Sequence, residues 1–156
     1  MKLIICGCAK NIVNFWTNTS KNLQIIFDSL EDYKCIIIES NSTDNSLEVL
    51  NDWSKNNPKI NIVSLGNLQE QSRTKRIALC RNKYLENIEP FYEEFPYCLF
   101  LDLDNALEIY DNFKEQLQSC FQFNNSSHDT PTENSIKVMS YNVRLFDLYN
   151  WSNNFC

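Results

Sequence analysis

The stretch Tyr97-Cys98-Leu99-Phe100-Leu101-Asp102-Leu103-Asp104-Asn105 decides the fold that we predict for this chain. Five apolar residues run without a break into Asp102 and Asp104, which indicates a buried, parallel strand with two carboxylates at its carboxyl end. Open α/β sheets bind their ligands at that end. Two acids on one side of a pleat repel each other unless a cation, a proton or hydrogen bonds lie between them, so the pair indicates a hard metal ion. The alternative is ordinary turn chemistry, with Asp104-Asn105 as a turn or a helix cap.

Apolar strands and amphipathic helices alternate along the chain before this stretch. The predicted strands are Leu3–Cys6, Cys35–Ile38 and Ile60–Leu65. The predicted helices are Ile12–Leu30, a segment carrying Leu47, Leu50 and Trp53, and Arg73–Ile88. This order is typical of a doubly wound sheet, so the fold class is α/β and Rossmann-like, with a mostly parallel central sheet and helices on both faces.

The chain after Asn105 is less regular. We predict a helix at about Leu107–Phe121 and a further strand at Ile136–Ser140. The segment Tyr141–Trp151 is aromatic enough to be packed or to line a pocket.

Length and charge restrict the possible classes of protein. A chain of 156 residues that is 43% hydrophobic forms one domain with a sizeable core. The net charge of −6 argues against a protein that tracks nucleic-acid phosphates, because such surfaces are basic. An odd number of cysteines, seven, favours a reducing compartment. We find no convincing signal peptide and no apolar run of about 18 residues, so we expect a cytoplasmic protein without a transmembrane segment.

Arg81 makes the sharpest physical demand in the sequence. A helical wheel places it in the middle of an apolar face formed by Ile77, Ala78, Tyr84, Leu85 and Ile88. A buried guanidinium needs an anionic partner. That partner is either an internal carboxylate, such as Glu39 or Asp102, or a bound diphosphate.

The ordered set of motifs resembles a known family. The turn E-S-N-S-T-D (39–44), the helical R-x-x-x-x-R-N (76–82) and the strand-end D-L-D (102–104) are similar to the nucleotide-sugar-binding half of GT-A glycosyltransferases. The likeness is nearest to the group that includes fungal capsule-associated mannosyltransferases. It implies one GT-A domain over residues 1–156, whole or part of a longer one. Residues 1–105 would be the nucleotide-sugar-binding half and 106–156 the start of the acceptor-side half.

The resemblance also implies which residues bind the nucleotide sugar. The strand-end and turn residues would hold the base and ribose; they are Cys6, Gly7, Ala9, Glu39, Ser40 and Asn41. Asp44, which also belongs to the nucleotide-sugar-binding set, matches the acidic residue that closes the same turn. Arg81 and Asn82 match an R-N pair that faces the ribose and phosphates, with Arg76 assisting. Asp102 also belongs to this set.

Asp102 and Asp104 match the D-x-D motif that holds Mn²⁺ or Mg²⁺ on the donor diphosphate. A divalent ion stabilises the charge that develops on the leaving nucleoside diphosphate, and carboxylate oxygens suit these hard ions. The implied partners are a nucleotide-sugar donor and a glycan, protein or lipid acceptor that the sequence does not identify. For the catalytic base, Asp147 is the leading candidate and Glu133 the second.

Two other functions remain open at this stage. The stretch L-F-L-D-L-D-N-A-L also resembles motif one of haloacid-dehalogenase-type phosphatases, with Asp102 as nucleophile and Asp104 as acid/base. Against it, Ala106 replaces the expected Thr or Val, and too little chain follows to supply the later motifs. A GT-A-like domain that binds nucleotide sugar or a partner without transferring the sugar is the non-enzymatic alternative.

Overall fold

The computed structural model describes residues 1–70, 72–91, 93–95, 97–103, 115, 117–118 and 143–147, with the backbone alone at Asp102 and 143–147. The strands in this part are β1 (Lys2–Ala9), β2 (Asp32–Glu39), β3 (Ile60–Ser64), β4 (Tyr97–Asp102) and β5 (Val143–Asp147). The helices are α1 (Trp16–Asp28), α2 (Ser46–Ser54) and α3 (Arg73–Ile88), and a 3-10 turn follows at Glu89–Phe91.

The bounds predicted for α3 are confirmed, and β4 occupies the predicted stretch. The helix α1 begins later than predicted because the chain before it forms hydrogen-bonded turns, such as the one from the Phe15 N–H to the Ile12 carbonyl at 2.9 Å. The strand predicted at Ile136–Ser140 lies outside the described residues, as does the helix predicted near Leu107–Phe121 apart from its helical residues 115, 117 and 118.

The described strands form one sheet in the order β3-β2-β1-β4-β5. β1 pairs in parallel with both β2 and β4, β2 pairs in parallel with β3, and β5 is antiparallel to β4. The chain builds the sheet outward from β1 to β3 and then places β4 on the other side of β1. The strand order therefore reverses between β1 and β4, which is the position where open α/β sheets form their ligand crevice.

Helices cover both faces of the sheet, as predicted. On one face, α1 and α2 bury Leu23, Ile26 and Leu50 against Leu3 and Ile5. On the other face, the buried residues of α3 meet the alternate residues of the strands, namely Ile4, Cys6, Ile36, Ile38 and Cys98 packed with Cys80, Tyr84 and Ile88. Among the residues described, no helix is both long enough and apolar enough to cross a membrane.

A set of hydrogen bonds joins the loop after β1 to the turn after β2, and we call residues 11–13 and 42–46 together the loop clasp. The Asn11 side-chain oxygen accepts from the Thr43 N–H at 2.8 Å, and the Asn11 N–H donates to the Ser42 hydroxyl at 3.2 Å. The Ile12 N–H donates to the Ser46 hydroxyl at 2.8 Å. These bonds fix two loops that both start at the carboxyl edge of the sheet.

Asp44 belongs to the clasp and also binds the first residue of α2. Its carboxylate accepts from the Val13 N–H at 3.4 Å and from the Ser46 N–H at 3.0 Å, and the Ser46 hydroxyl donates to it as well. Burial raises the pKa of Asp44, but the bonds from Ser46 and Val13 outweigh burial and hold the pKa below its ordinary value. Asp44 thereby satisfies the N–H of Ser46, the first residue of α2, while the N-cap residue Asn45 makes no side-chain cap bond.

We predict that Ser46→Ala destabilises the protein by about 1–3 kcal/mol. Ser46 is fully buried, and its loss leaves the buried Ile12 N–H without an acceptor. Urea denaturation measures the change. Ser54→Ala at the other end of α2 is the matched control, because the Ser54 hydroxyl bonds the Asn51 carbonyl at the surface. An equal loss in both variants would contradict the clasp.

The lowered pKa of Asp44 predicts a pH-dependent contribution to stability. A group whose pKa is depressed in the folded state adds stability above its unfolded pKa, about 3.9, and loses it as the pH falls through the folded value. The difference in unfolding free energy between wild type and Asp44→Asn should therefore shrink below about pH 4. Denaturation at several pH values measures it, with Asp52→Asn on α2 as the charge control. A constant difference would contradict the assignment.

Candidate functional site

The carboxyl ends of four parallel strands form the candidate site. The strand register aligns Ser64 with Glu39, Glu39 with Ala9, and Cys8 with Asp102. Two of the acids predicted for the site thus lie on either side of β1 at one edge. Cys8 and Asp102 end neighbouring strands at the position where the strand order reverses.

Glu39 is 3% exposed and is held by internal donors. The Ser64 hydroxyl donates to its Oε2 at 2.6 Å, and the Ser42 N–H donates to its Oε1 at 3.2 Å. In the described part of the chain Glu39 forms no salt bridge with Arg81. Each carboxylate oxygen can accept a second hydrogen bond, so Glu39 keeps capacity for a ligand donor.

Ser40 and Asn41 connect the β2 turn to neighbouring segments. The Ser40 hydroxyl lies 3.5 Å from the Cys80 sulfur. Asn41 adopts a left-handed backbone with φ of 56°, which Asn tolerates better than most residues, and its amide donates to Asn67 Oδ1 at 2.9 Å and to the Leu68 carbonyl at 3.1 Å. The Asn41 side chain therefore holds the loop that leads into α3.

Within the run Cys6–Ala9, Cys8 has the most solvent-accessible side chain, since Cys6, Gly7 and Ala9 are buried. The Tyr84 hydroxyl donates to the Cys8 sulfur at 2.6 Å. A hydrogen bond with Cys80 and then burial raise the pKa of Cys8 far above its ordinary value, while Tyr84 and the Arg81 guanidinium oppose the rise. The same bond lowers the pKa of Cys80 to about 6.

Arg81 is exposed, so the predicted burial in the middle of an apolar face is wrong. The buried row of α3 is Cys80, Tyr84 and Ile88, and Arg81 lies one residue, about 100°, round from Cys80. It has no ion pair or hydrogen bond with any residue that the structure describes.

The other basic-motif residues occupy different places. Arg76 donates from Nη1 to the Glu70 carbonyl at 2.8 Å. Asn82 is exposed and lies about 200° round from Cys80, on the outward side of α3. The structure thus brings Arg81, but not Asn82, to the side of the helix near the sheet.

Asp102 ends β4 opposite Cys8, and the residue after it, Leu103, is buried against Gly7. Asp104 lies outside the described residues. The two aspartates flank a residue that the core holds in place, which puts the start of the D-x-D motif at the carboxyl edge as the sequence predicts.

Asp147 lies at the opposite end of β4 from Asp102. The antiparallel register pairs Asp147 with Tyr97, the first residue of β4. Tyr97 and Asp102 are five residue steps apart along β4, a distance of about 16 Å. We therefore do not include Asp147 in the proposed site, and Glu133 lies outside the described residues.

Sequence reasoning missed three features of this edge: the loop clasp, the Tyr84–Cys8 hydrogen bond, and the contact of Leu103 with Gly7. The glycine inside an apolar strand was the one available signal, because such a glycine often marks a close approach of another segment. The other two depend on contacts between distant parts of the chain.

Comparison with known proteins adds a family to this geometry. The sequence matches Glycosyl transferase family 2 over residues 4–118, which is more than half of the chain. No curated protein shows a significant match.

Two solved structures share the fold. One is S. aureus TarS in complex with UDP-GlcNAc, with a TM-score of 0.54 at 14% identity, covering 94% of this chain and 45% of that one. The other is the mannosyltransferase PcManGT from Pyrobaculum calidifontis in complex with GDP-Man and Mn²⁺, with a TM-score of 0.58 at 10% identity, covering 93% and 44%.

This chain spans under half the length of either protein. At these identities the likeness shows the fold, and it confirms the predicted GT-A, Rossmann-like class. The nearer kinship with capsule-associated mannosyltransferases stays a prediction. The family match, which covers both the β2 turn and the D-x-D motif, shows that the chain belongs to glycosyl transferase family 2.

Proposed function

We propose that this domain binds a nucleotide-sugar donor at the carboxyl edge of β1, β2 and β4 and contributes to transfer of the sugar to an acceptor. The observation that carries the proposal is the reversal of strand order between β1 and β4, the position where open α/β sheets bind their ligands. Asp102 ends β4 there beside Cys8 of β1, and the exposed Arg81 lies on α3, which packs on this part of the sheet. Family membership supports transfer over the phosphatase alternative.

A divalent ion fits the chemistry of this edge. Asp102 and Asp104 supply hard carboxylate oxygens, and Asp102 ends a strand at the crevice. The described residues contain no group of three or more side chains that could enclose a metal. Mg²⁺ is commonly bound by one or two carboxylates together with substrate phosphates, so the D-x-D pair with a donor diphosphate is a sufficient ligand set. When bound, the ion neutralises charge on the leaving diphosphate.

The residues of this chain then have separate roles. Arg81 offers a permanently charged fork to the phosphates. Cys8, Ala9, Glu39, Ser40 and Asn41 form the strand ends and turn against which the base and ribose lie. Asp44 keeps the turn in shape through the loop clasp rather than by contact with the ligand. In this proposal residues 1–105 remain the donor half and 106–156 the start of the acceptor-side half.

A binding domain without turnover is the second candidate. The observation that favours it is the position of Asp147, because the register removes the leading candidate for a catalytic base from the crevice. Donor binding is common to both candidates, so it is the step to test first.

We predict that UDP and GDP bind only when a divalent ion is present. Calorimetric titration with Mn²⁺ should give measurable affinity, and the same titration in EDTA should give none. Asp102→Asn should reduce the affinity at least about tenfold, or about 1.4 kcal/mol. Equal binding in EDTA would remove Asp102 and Asp104 from the proposed site.

A second prediction concerns Arg81. Because the side chain is exposed and has no partner among the described residues, Arg81→Met should change the free energy of unfolding by no more than about 0.5 kcal/mol. Nucleotide affinity should fall at least about tenfold, since a phosphate loses its charged partner.

Thermal melts and calorimetry separate the two effects. Lys75→Met is the matched control, because Lys75 is an exposed cation on the outward side of α3 and pairs loosely with Glu70 at 3.8 Å. If Arg81→Met destabilises the apo protein strongly, or if both variants bind equally well, Arg81 does not bind the diphosphate.

A further inference from the structure

We infer that Gly7 and Leu103 form a positioning pair. Because Gly7 of β1 has no side chain, Leu103, the middle residue of the D-x-D motif, can pack directly against it, and this contact fixes the position of Asp102. The pair does not touch the ligand itself. The identity of that ligand rests on the proposed function, whereas the contact between β1 and the motif does not.

The contact is closer than any side chain at position 7 would allow. A Cβ atom added to Gly7 would lie 2.5 Å from Leu103 Cδ1, 2.6 Å from Cγ and 3.1 Å from Cδ2. Carbon atoms in good contact are about 3.5–4.0 Å apart. Leu103 is 1% exposed and packs in the core on the α1 and α2 face of the sheet. The Leu103 side chain therefore cannot move away from an added Cβ without disturbing the core residues around it.

Space, and not backbone conformation, requires the glycine. Positive φ is recorded for Gly66, at 60°, but not for Gly7, which continues the regular pairing of β1 opposite Leu101. A glycine inside a strand weakens the strand and commonly marks the close approach of another segment. Here that segment is the chain leaving β4.

The place of Leu103 in the sequence explains how its contact with Gly7 affects the D-x-D motif. Leu103 lies between Asp102 and Asp104 in sequence, so a fixed side chain at 103 fixes the peptide groups on both sides of it. Restoring ordinary contact distances after adding a Cβ would move Leu103 or its backbone by about 1 Å. Metal and catalytic constellations tolerate about 0.5 Å. The displacement is therefore large enough to weaken metal binding without unfolding the sheet.

The test is a double-mutant cycle on the purified 156-residue chain. Gly7→Ala should weaken Mn²⁺-dependent UDP or GDP binding at least about tenfold. In the Leu103→Ala background, where the clashing atoms are gone, the same change should alter affinity by no more than about threefold. Gly66→Ala is the control: its Cβ would meet nothing within 4 Å, while its positive φ makes the substitution strained, so it loses stability without moving the motif.

Amide chemical shifts of Asp102 and Asp104, measured without metal, give a second readout. Gly7→Ala should shift both amide signals far more than Gly66→Ala does. The double variant, Gly7→Ala with Leu103→Ala, should show the same amide shifts as Leu103→Ala alone. Shifts no larger than in the control, or an undiminished effect of Gly7→Ala in the Leu103→Ala background, would overturn the inference. If Gly7→Ala fails to fold, recovery in the double variant supports the pair and continued unfolding overturns it.

These readouts keep the inference separate from the proposed function. If the wild type binds no nucleotide with Mn²⁺, the proposed ligand is wrong. In that case the amide shifts, which are measured without metal, still show whether the contact with Gly7 positions Leu103.

Discussion

The structure depends on β1 being paired along both edges and buried on both faces. Leu3, Ile4, Ile5 and Cys6 are each at most 1% exposed. A strand in this situation must be apolar on both sides, and its polar functions can begin only where it ends. β2 and β4 inherit this constraint through parallel pairing, which brings their carboxyl ends to the same edge as that of β1. The location of the candidate site follows from the pairing before any functional side chain is considered.

The two acids of the E-S-N-S-T-D turn, Glu39 and Asp44, have a structural role because their carboxylates accept hydrogen bonds from inside the protein. A carboxylate taken out of water must find donors, and Glu39 finds them in Ser64 and Ser42. Asp44 likewise uses its oxygens on Ser46 and Val13. Both residues therefore stabilise the edge of the sheet whether or not a ligand is present. In the proposed site, the D-x-D motif and Arg81 therefore supply the charges that act on the ligand.

Local sequence patterns predicted the parts of this structure that local physics controls. The unbroken apolar run before Asp102 predicted β4, and the bounds of α3 followed from a helical pattern ended near Pro90. The fate of Arg81 was not predictable in the same way. Ala78 and Leu85 widened the apparent apolar face, but Ala78 is exposed and the sheet covers a narrower row. A helical wheel gives the direction of each side chain around the helix, but it does not show how much of the helix surface the sheet covers.

The sequence did not identify the contact between Gly7 and Leu103 for a different reason. It joins residues that are far apart in sequence, and neither residue has a polar group whose need for a partner would predict the contact. The glycine carried a signal of close approach without naming the approaching segment. Such contacts become definite once strand order and register are known, because the register places Gly7 opposite Leu101 and leaves Leu103 just beyond it.

Charge balance explains why a cation and an exposed arginine belong together in the proposed site. The chain carries a net charge of −6, so it repels a free diphosphate at distances within the Debye length, about 8–10 Å. Two neighbouring aspartates add to this repulsion unless a divalent ion reverses the local sign. An arginine kept in water gives up little hydration before the ligand arrives, and its attraction strengthens only when the ligand displaces that water. In the proposed site, the ion would offset the repulsion between the aspartates and the phosphate, and Arg81 would orient the phosphate.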